Sequence, residues 1–169
     1  MKRSPTQKMT KFRYISWADY GKLSASLVEH LQSPALRFDL VIGVARGGIP
    51  LAMVVSDQLD VKIDIINVKS YEGIAERERP RIISTLTESV KGKRILLIDD
   101  LVDEGATMGT VVKYLRKEKP RELKTAVLFK KPWSKFEPDF YLETLDEWIV
   151  FPWERGEVGR ILAKQESKS

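Results

Sequence analysis

Residues 94–112 read Arg-Ile-Leu-Leu-Ile-Asp-Asp-Leu-Val-Asp-Glu-Gly-Ala-Thr-Met-Gly-Thr-Val-Val. Ile95 to Ile98 form a continuous apolar run with no polar alternation. That is the pattern of a strand buried on both faces, as in a parallel sheet covered by helices. The run stops at Asp99 and Asp100, Asp103 follows, and Gly105, Ala106 and Thr107 lead into Met108 to Leu115, which predicts a helix. Acids therefore stand at the carboxyl end of a buried strand, and a small-residue loop enters a helix. In open α/β sheets, that edge is where ligands bind. Backbone N–H groups of a Gly-containing loop at a helix start favour a phosphate. Thr107 can add a hydroxyl or cap the helix. The paired aspartates can accept hydrogen bonds from sugar hydroxyls or help hold a hydrated Mg²⁺. A phosphorylated sugar satisfies all of these groups together.

Working outward, Asp39 to Val44 predicts a second buried strand, ending in Ala45-Arg46-Gly47-Gly48 and a helix through about Leu59. Pro50 is well placed near that helix start. The two glycines let backbone N–H groups approach an anion, and Arg46 supplies positive charge. Upstream, Phe12 to Ile15 reads as a short edge strand. A helix begins at Ser16, with Asp19 completing a capping-box-like pattern, and Trp17, Tyr20, Leu23, Leu27, Val28 and Leu31 recur at helical spacing on a core face. Val61 to Val68 and Leu123 to Phe129 read as strands, the latter ending at Lys130-Lys131-Pro132. Pro138 to Leu142 and Glu147 to Phe151 add two short strands. Residues 69–84 carry a run of mixed charge, ordinarily a solvated face. A long polar segment in a compact domain is also where a lid sits.

A chain of 169 residues suggests a single domain, 1–169, with 1–11 and 163–169 as loose polar ends. Cysteine is absent, which excludes disulfides and thiolate metal sites, and the single histidine, His30, suits a surface or partly buried role. No run approaches the ~20 apolar residues of a membrane span. The basic start of the chain is followed by no apolar signal segment, so the expectation is a cytoplasmic protein with no membrane partner. The net charge of +5 suits anionic ligands, but its signs are interspersed, which argues against a dedicated nucleic-acid surface.

The order Ile98-Asp99-Asp100-Leu101-Val102-Asp103-Glu104-Gly105-Ala106-Thr107 resembles the phosphoribosyl-diphosphate-binding motif of the type I phosphoribosyltransferases. Glu104 stands where that motif commonly has Thr, placing an extra negative charge beside the phosphate. Ala45-Arg46-Gly47-Gly48 resembles the family's diphosphate loop, in which the peptide before the basic residue is often cis. Leu128-Phe129-Lys130-Lys131-Pro132 and Glu147 to Glu154 resemble the 6-oxopurine branch, which takes guanine, xanthine or hypoxanthine. The likeness spans Ser16 to Glu154.

The resemblance implies an α/β fold, a mainly parallel sheet flanked by helices, with a small hood built from the chain ends. It implies transfer of a 5-phosphoribosyl group from phosphoribosyl diphosphate to N9 of a purine, with Mg²⁺ near Asp100. In that scheme Arg46, Gly47 and Gly48 hold the diphosphate and Asp99 aids the ribose. Asp103 is the general base, while Glu104, Gly105, Ala106 and Thr107 cradle the 5′-phosphate. Lys131 meets the 6-oxo group, Trp148 stacks on the base and the Ile149 backbone contacts its 2-position. The family also implies a dimer or tetramer, and a loop between the two motifs that closes over the reacting centre. Two rivals remain: an enzyme of the same fold for adenine or uracil, and a regulator that keeps the sugar-phosphate site but binds nucleic acid.

Overall fold

The computed structural model describes residues 11–69 and 80–166. In chain order the elements are β1 (Phe12–Tyr14), α1 (Trp17–Leu31), β2 (Leu40–Ala45), α2 (Gly48–Leu59), β3 (Lys62–Lys69), β4 (Arg81–Ile82), β5 (Arg94–Ile98), β6 (Leu101–Val102), α3 (Ala106–Lys117), β7 (Glu122–Ala126), β8 (Phe129–Lys130), β9 (Glu143–Thr144), β10 (Trp148–Val150) and α4 (Arg155–Glu166). They fall into two compact units, one of Ser24–Leu145 and one of the chain ends, Met1–Leu23 with Asp146–Ser169.

The central unit is an α/β sheet of five strands in the order β4-β3-β2-β5-β7. All neighbours are parallel except β4, which runs antiparallel to β3. The apolar runs of β2 and β5 lie side by side at its middle, Ile42 opposite Leu97 and Gly43 opposite Ile98. Helices cover both faces. Leu40, Ile42, Val44, Ile95 and Leu97 form one core with Met108, Val111, Val112 and Leu115 of α3. Those four α3 residues recur at helical spacing, and burying each such side chain is worth about 1.5–3 kcal/mol. On the opposite face Gly43 lies directly under Ala52 of α2, close enough that an added Cβ would sit 2.8 Å from the Ala52 Cβ.

The apolar run of residues 123–129, expected as one strand, is interrupted. Leu128 and Phe129 turn their N–H groups to the Asp100 carbonyl, at 3.0 and 3.3 Å, and Val127 donates to Phe140. The chain thereby leaves the large sheet after Ala126 and joins a second parallel sheet, β6-β8-β9. Residues 138–142, also expected as a strand, form only an isolated bridge between Phe140 and Ala126. Asp139 instead spends its carboxylate on the Thr125 N–H and hydroxyl, at 2.8 and 2.9 Å.

In the chain-end unit β1 pairs in parallel with β10, Phe12 opposite Trp148. Ser16 and Asp19 close the expected capping box, with Ser16 Oγ accepting from the Asp19 N–H at 3.1 Å. Tyr20 packs edge-on to Trp153, and Phe151 stacks on Trp153 at 4.9 Å. Trp17, expected on the core face, is 64% exposed and only flanks this cluster. A helical period brings it near the apolar stripe, but one residue into the helix there is little beneath it to bury against. His30 is exposed, as expected. Of the segment expected as a lid, residues 70–79 lie outside the described residues, as do 1–10 and 167–169 of the expected loose ends.

The amino ends of β2 and β5 are tied by one residue pair. Arg94 donates to Asp39 from its backbone N–H at 2.8 Å, from Nε at 3.0 Å and from a terminal guanidinium nitrogen at 2.6 Å. The guanidinium, then the backbone N–H, hold the Asp39 carboxyl down at about 2. A depressed carboxylate stabilises the fold above its unfolded value of about 3.9 and loses that contribution as pH falls through its folded value. Asp39→Asn should therefore melt below the wild type at pH 7, with the gap narrowing from about pH 4 and closing near pH 2, by thermal denaturation across pH.

Candidate functional site

The chain enters the large sheet at β2, moves outward to β3 and β4, then returns to the other side of β2 as β5. The strand order reverses between β2 and β5, and a crevice at such a switch point, outside the carboxyl ends of the strands, is the ligand site of open α/β sheets. Both candidate loops emerge there. After β2 comes the Ala45–Arg46 peptide, which is cis as expected, then the exposed Arg46. A Cβ on Gly47 would fall on the Asp100 carboxylate, and one on Gly48 would lie 2.5 Å from the Ile98 carbonyl oxygen. Gly48 thus lets the loop pack on the β5 backbone, and a side chain at Gly47 would displace the Asp100 carboxylate.

After β5, Asp99 and Asp100 are half-buried side by side. Asp99 Oδ1 accepts the Asp100 N–H at 2.9 Å. Loss of hydration, and then repulsion from Asp100, push the Asp99 carboxyl well above the usual carboxylate range. Farther along, Gly105 takes a left-handed conformation, φ +89°, and caps α3 without a side-chain bond. Thr107 therefore does not cap the helix; it lies in the first turn. The first N–H groups of α3 have no intrahelical acceptor and face the loop with the positive end of the helix dipole. A cleft of about 250 Å³ lies here, lined by Pro80, Asp99 and residues 101–108.

Lys131 is only 5% exposed, although a lysine at a strand end is more often solvated. Its N–H donates to the Val102 carbonyl at 2.9 Å, which brings it alongside the acidic loop. Sequence reasoning passed over Trp133. Its indole Nε1–H donates to Asp103 Oδ1 at 2.7 Å, and the Lys131 ammonium lies 5.7 Å from its ring centroid. The only signal in the chain was its place two residues after Lys131. Trp148 and Ile149 belong to the chain-end unit: Trp148 is 45% exposed, so its ring is not core, whereas Ile149 is buried in β10. Arg46, Gly47, Gly48, Asp99, Asp100, Asp103 to Thr107 and Lys131 belong to the central unit.

Among the described residues no three His, Asp or Glu side chains converge as a metal cage. The Asp99–Asp100 pair suits an ion that keeps most of its water and draws other ligands from a phosphate, as Mg²⁺ does. A cation there would relieve the repulsion between Asp99 and Asp100.

Comparison with known proteins places the chain among phosphoribosyltransferases. A family model described as "Phosphoribosyl transferase domain" matches residues 17–158. A xanthine-guanine phosphoribosyltransferase of Idiomarina loihiensis is 32% identical, over 83% of this chain and 86% of that protein. A purine phosphoribosyltransferase structure from Pyrococcus horikoshii is 36% identical with a TM-score of 0.76, covering 84% of this chain and 93% of that one. The transcriptional regulator GfcR of Methanocella arvoryzae is 29% identical, over 70% of this chain and 64% of that protein.

The raised Asp99 carboxyl carries a sign for stability. A carboxyl raised by folding stabilises below its unfolded value of about 3.9, and that contribution is lost as pH rises through the folded value. Asp99→Asn keeps the acceptor for the Asp100 N–H and removes the charge. In the free protein it should raise the melting temperature at pH 7–8, by about 2–4 °C per kcal/mol relieved, with no gain near pH 4.

Proposed function

Because this chain belongs to the phosphoribosyltransferase family, we propose that it is a purine-salvage enzyme acting on a 6-oxopurine (guanine, xanthine or hypoxanthine). The observation that carries the reading is the meeting of the Gly47–Gly48 loop with Asp99 and Asp100 at the switch point, beside the N-terminus of α3. That arrangement suits a sugar bearing a diphosphate at one end and a phosphate at the other. Arg46 and the N–H groups of Gly47 and Gly48 would receive the diphosphate, and Asp99 and Asp100 the ribose hydroxyls. Glu104 to Thr107 would cradle the 5′-phosphate at the helix start. Mg²⁺, held near Asp100 and by the substrate itself, would neutralise charge on the leaving diphosphate.

Purine N9 attacks C1′ of the ribose as the C1′–O bond to diphosphate breaks, and diphosphate leaves with the bonding electrons. The ring sheds its N7 proton to Asp103 as general base. Positioning and charge stabilisation supply most of the acceleration in such a displacement. Lys131 supports the choice of base: an ammonium donates and cannot accept, so it matches a 6-oxo group and not the 6-amino group of adenine. Trp148 offers an exposed indole face for stacking, and the Ile149 backbone would meet the 2-position. Assembly into a dimer or tetramer, and a cytoplasmic location, belong to the same proposal. Among the described residues no helix is long and apolar enough to cross a membrane.

The likeness to GfcR carries a second reading, which the net charge of +5 permits: a regulator that keeps the sugar-phosphate site and binds nucleic acid. A turnover panel of guanine, xanthine, hypoxanthine, adenine and uracil, at saturating phosphoribosyl diphosphate and Mg²⁺, separates the readings. Nucleotide and diphosphate should form with at least one of the first three. Turnover of adenine or uracil alone would move the chain to another branch. No turnover, together with a specific duplex-DNA shift, would favour the regulator. Asp103→Asn keeps size but not basicity, so kcat should fall about 10²–10⁴-fold with little change in affinity for phosphoribosyl diphosphate.

A further inference from the structure

We propose that Trp133 is a positioning residue for the proton transfer at Asp103, holding one carboxylate oxygen with its indole N–H while its ring face lies against the Lys131 ammonium. The inference rests on the reading of Asp103 as the base and Lys131 as the 6-oxo donor. N7 and O6 lie next to each other on one edge of a 6-oxopurine. The groups that serve them must therefore stand side by side at a fixed spacing. A carboxylate and an ammonium left to themselves would pair and close that edge. The Trp133 indole meets both without joining them, its N–H edge to the anion and its π face toward the cation.

Asp103 is exposed on the loop after β6, where an aspartate would otherwise sample several rotamers. The 2.7 Å bond from Trp133 is charge-assisted and so among the stronger restraints available. Indole nitrogen is a donor only. It fixes Oδ1 without competing for the incoming proton and leaves Oδ2 to receive it.

Trp133 is itself held. Ser134 N–H donates to the Lys131 carbonyl at 3.0 Å, and Ser134 Oγ donates to the Phe136 carbonyl at 2.9 Å, closing a turn. That turn is stapled along the acidic loop: Lys131 N–H to Val102, Lys135 N–H to Glu104 at 3.3 Å, and Phe136 against the bare Cα of Gly105. Three successive loop positions, Asp103, Glu104 and Gly105, thus each meet the same turn.

The test compares Trp133→Phe, which keeps a ring beside Lys131 but loses the N–H, with Trp133→Leu, which loses both. Steady-state constants are measured for both substrates, in the wild-type and Asp103→Asn backgrounds, with melting curves on every variant. Trp133→Phe should lower kcat about tenfold or more with both KM values within about twofold. It should cause no further fall in the Asp103→Asn background, because the group it positions is already disabled. Trp133→Leu should in addition raise the KM for the base. In the nitrogen–proton NMR spectrum of the unliganded wild type, the indole signal that Trp133→Phe removes should shift on Asp103→Asn, a readout that needs no turnover. Wild-type kcat in a folded Trp133→Phe, or an equal fall in both backgrounds, overturns the proposal while the assigned reaction stands. Near-normal kcat in Asp103→Asn removes the assigned base, and the positioning role falls with it.

Discussion

Two absent side chains set the terms for the rest of this molecule. At Gly47 any Cβ would collide with the Asp100 carboxylate, and at Gly48 with the backbone at the end of β5. Bare backbone at Gly48 lets the loop after β2 lie on the β5 backbone, and bare backbone at Gly47 leaves the Asp100 carboxylate where it is. For that to happen the two strands must be parallel neighbours in a fixed register near their carboxyl ends. The pairing of Gly43 with Ile98 provides the register. At the other end the Asp39–Arg94 bonds lock the same two strands against slippage. A slip of one residue would turn the α3-facing side chains away from their core and separate the loops at the same time.

The acids at that junction are held at a cost to the fold. Asp99 loses hydration and faces Asp100, and both effects oppose its ionisation. Nearby, the start of α3 offers unpaired N–H groups and a positive dipole end. A site that concentrates negative charge beside anion-binding N–H groups is poorly matched to itself. It is well matched to a ligand carrying both cation and phosphate. Such a balance of stability against binding is common where a functional site is built into an otherwise well-packed sheet.

The second sheet follows from the same junction. Because the Asp100 carbonyl accepts from Leu128 and Phe129, the chain after β7 is pulled off the main sheet and across the acidic loop. This redirection carries Lys131 into a buried position and Trp133 onto Asp103. The segment carrying Lys131 and Trp133 is therefore linked to the Asp99–Asp100 loop by backbone hydrogen bonds and not only by proximity.

Much of this was legible in the amino-acid order. Unbroken apolar runs at 40–44 and 95–98 suit strands buried on both faces, and acids, glycines and a helix start directly after such strands mark the sheet edge where open α/β folds bind ligands. The cap at Ser16 and Asp19 was readable because its partners are three residues apart. What local pattern could not reveal were choices between partners distant in the chain. The run 123–129 is as apolar as any strand, and only the Asp100 carbonyl, brought beside it by folding, divides it. Trp148 and Trp153 look alike in sequence, yet Trp153 joins a stack with Phe151 while Trp148 stays 45% exposed. Trp133 carries no periodic signal. An indole N–H can donate to any acceptor within reach, and only the tertiary fold decides that the acceptor is Asp103, thirty residues earlier.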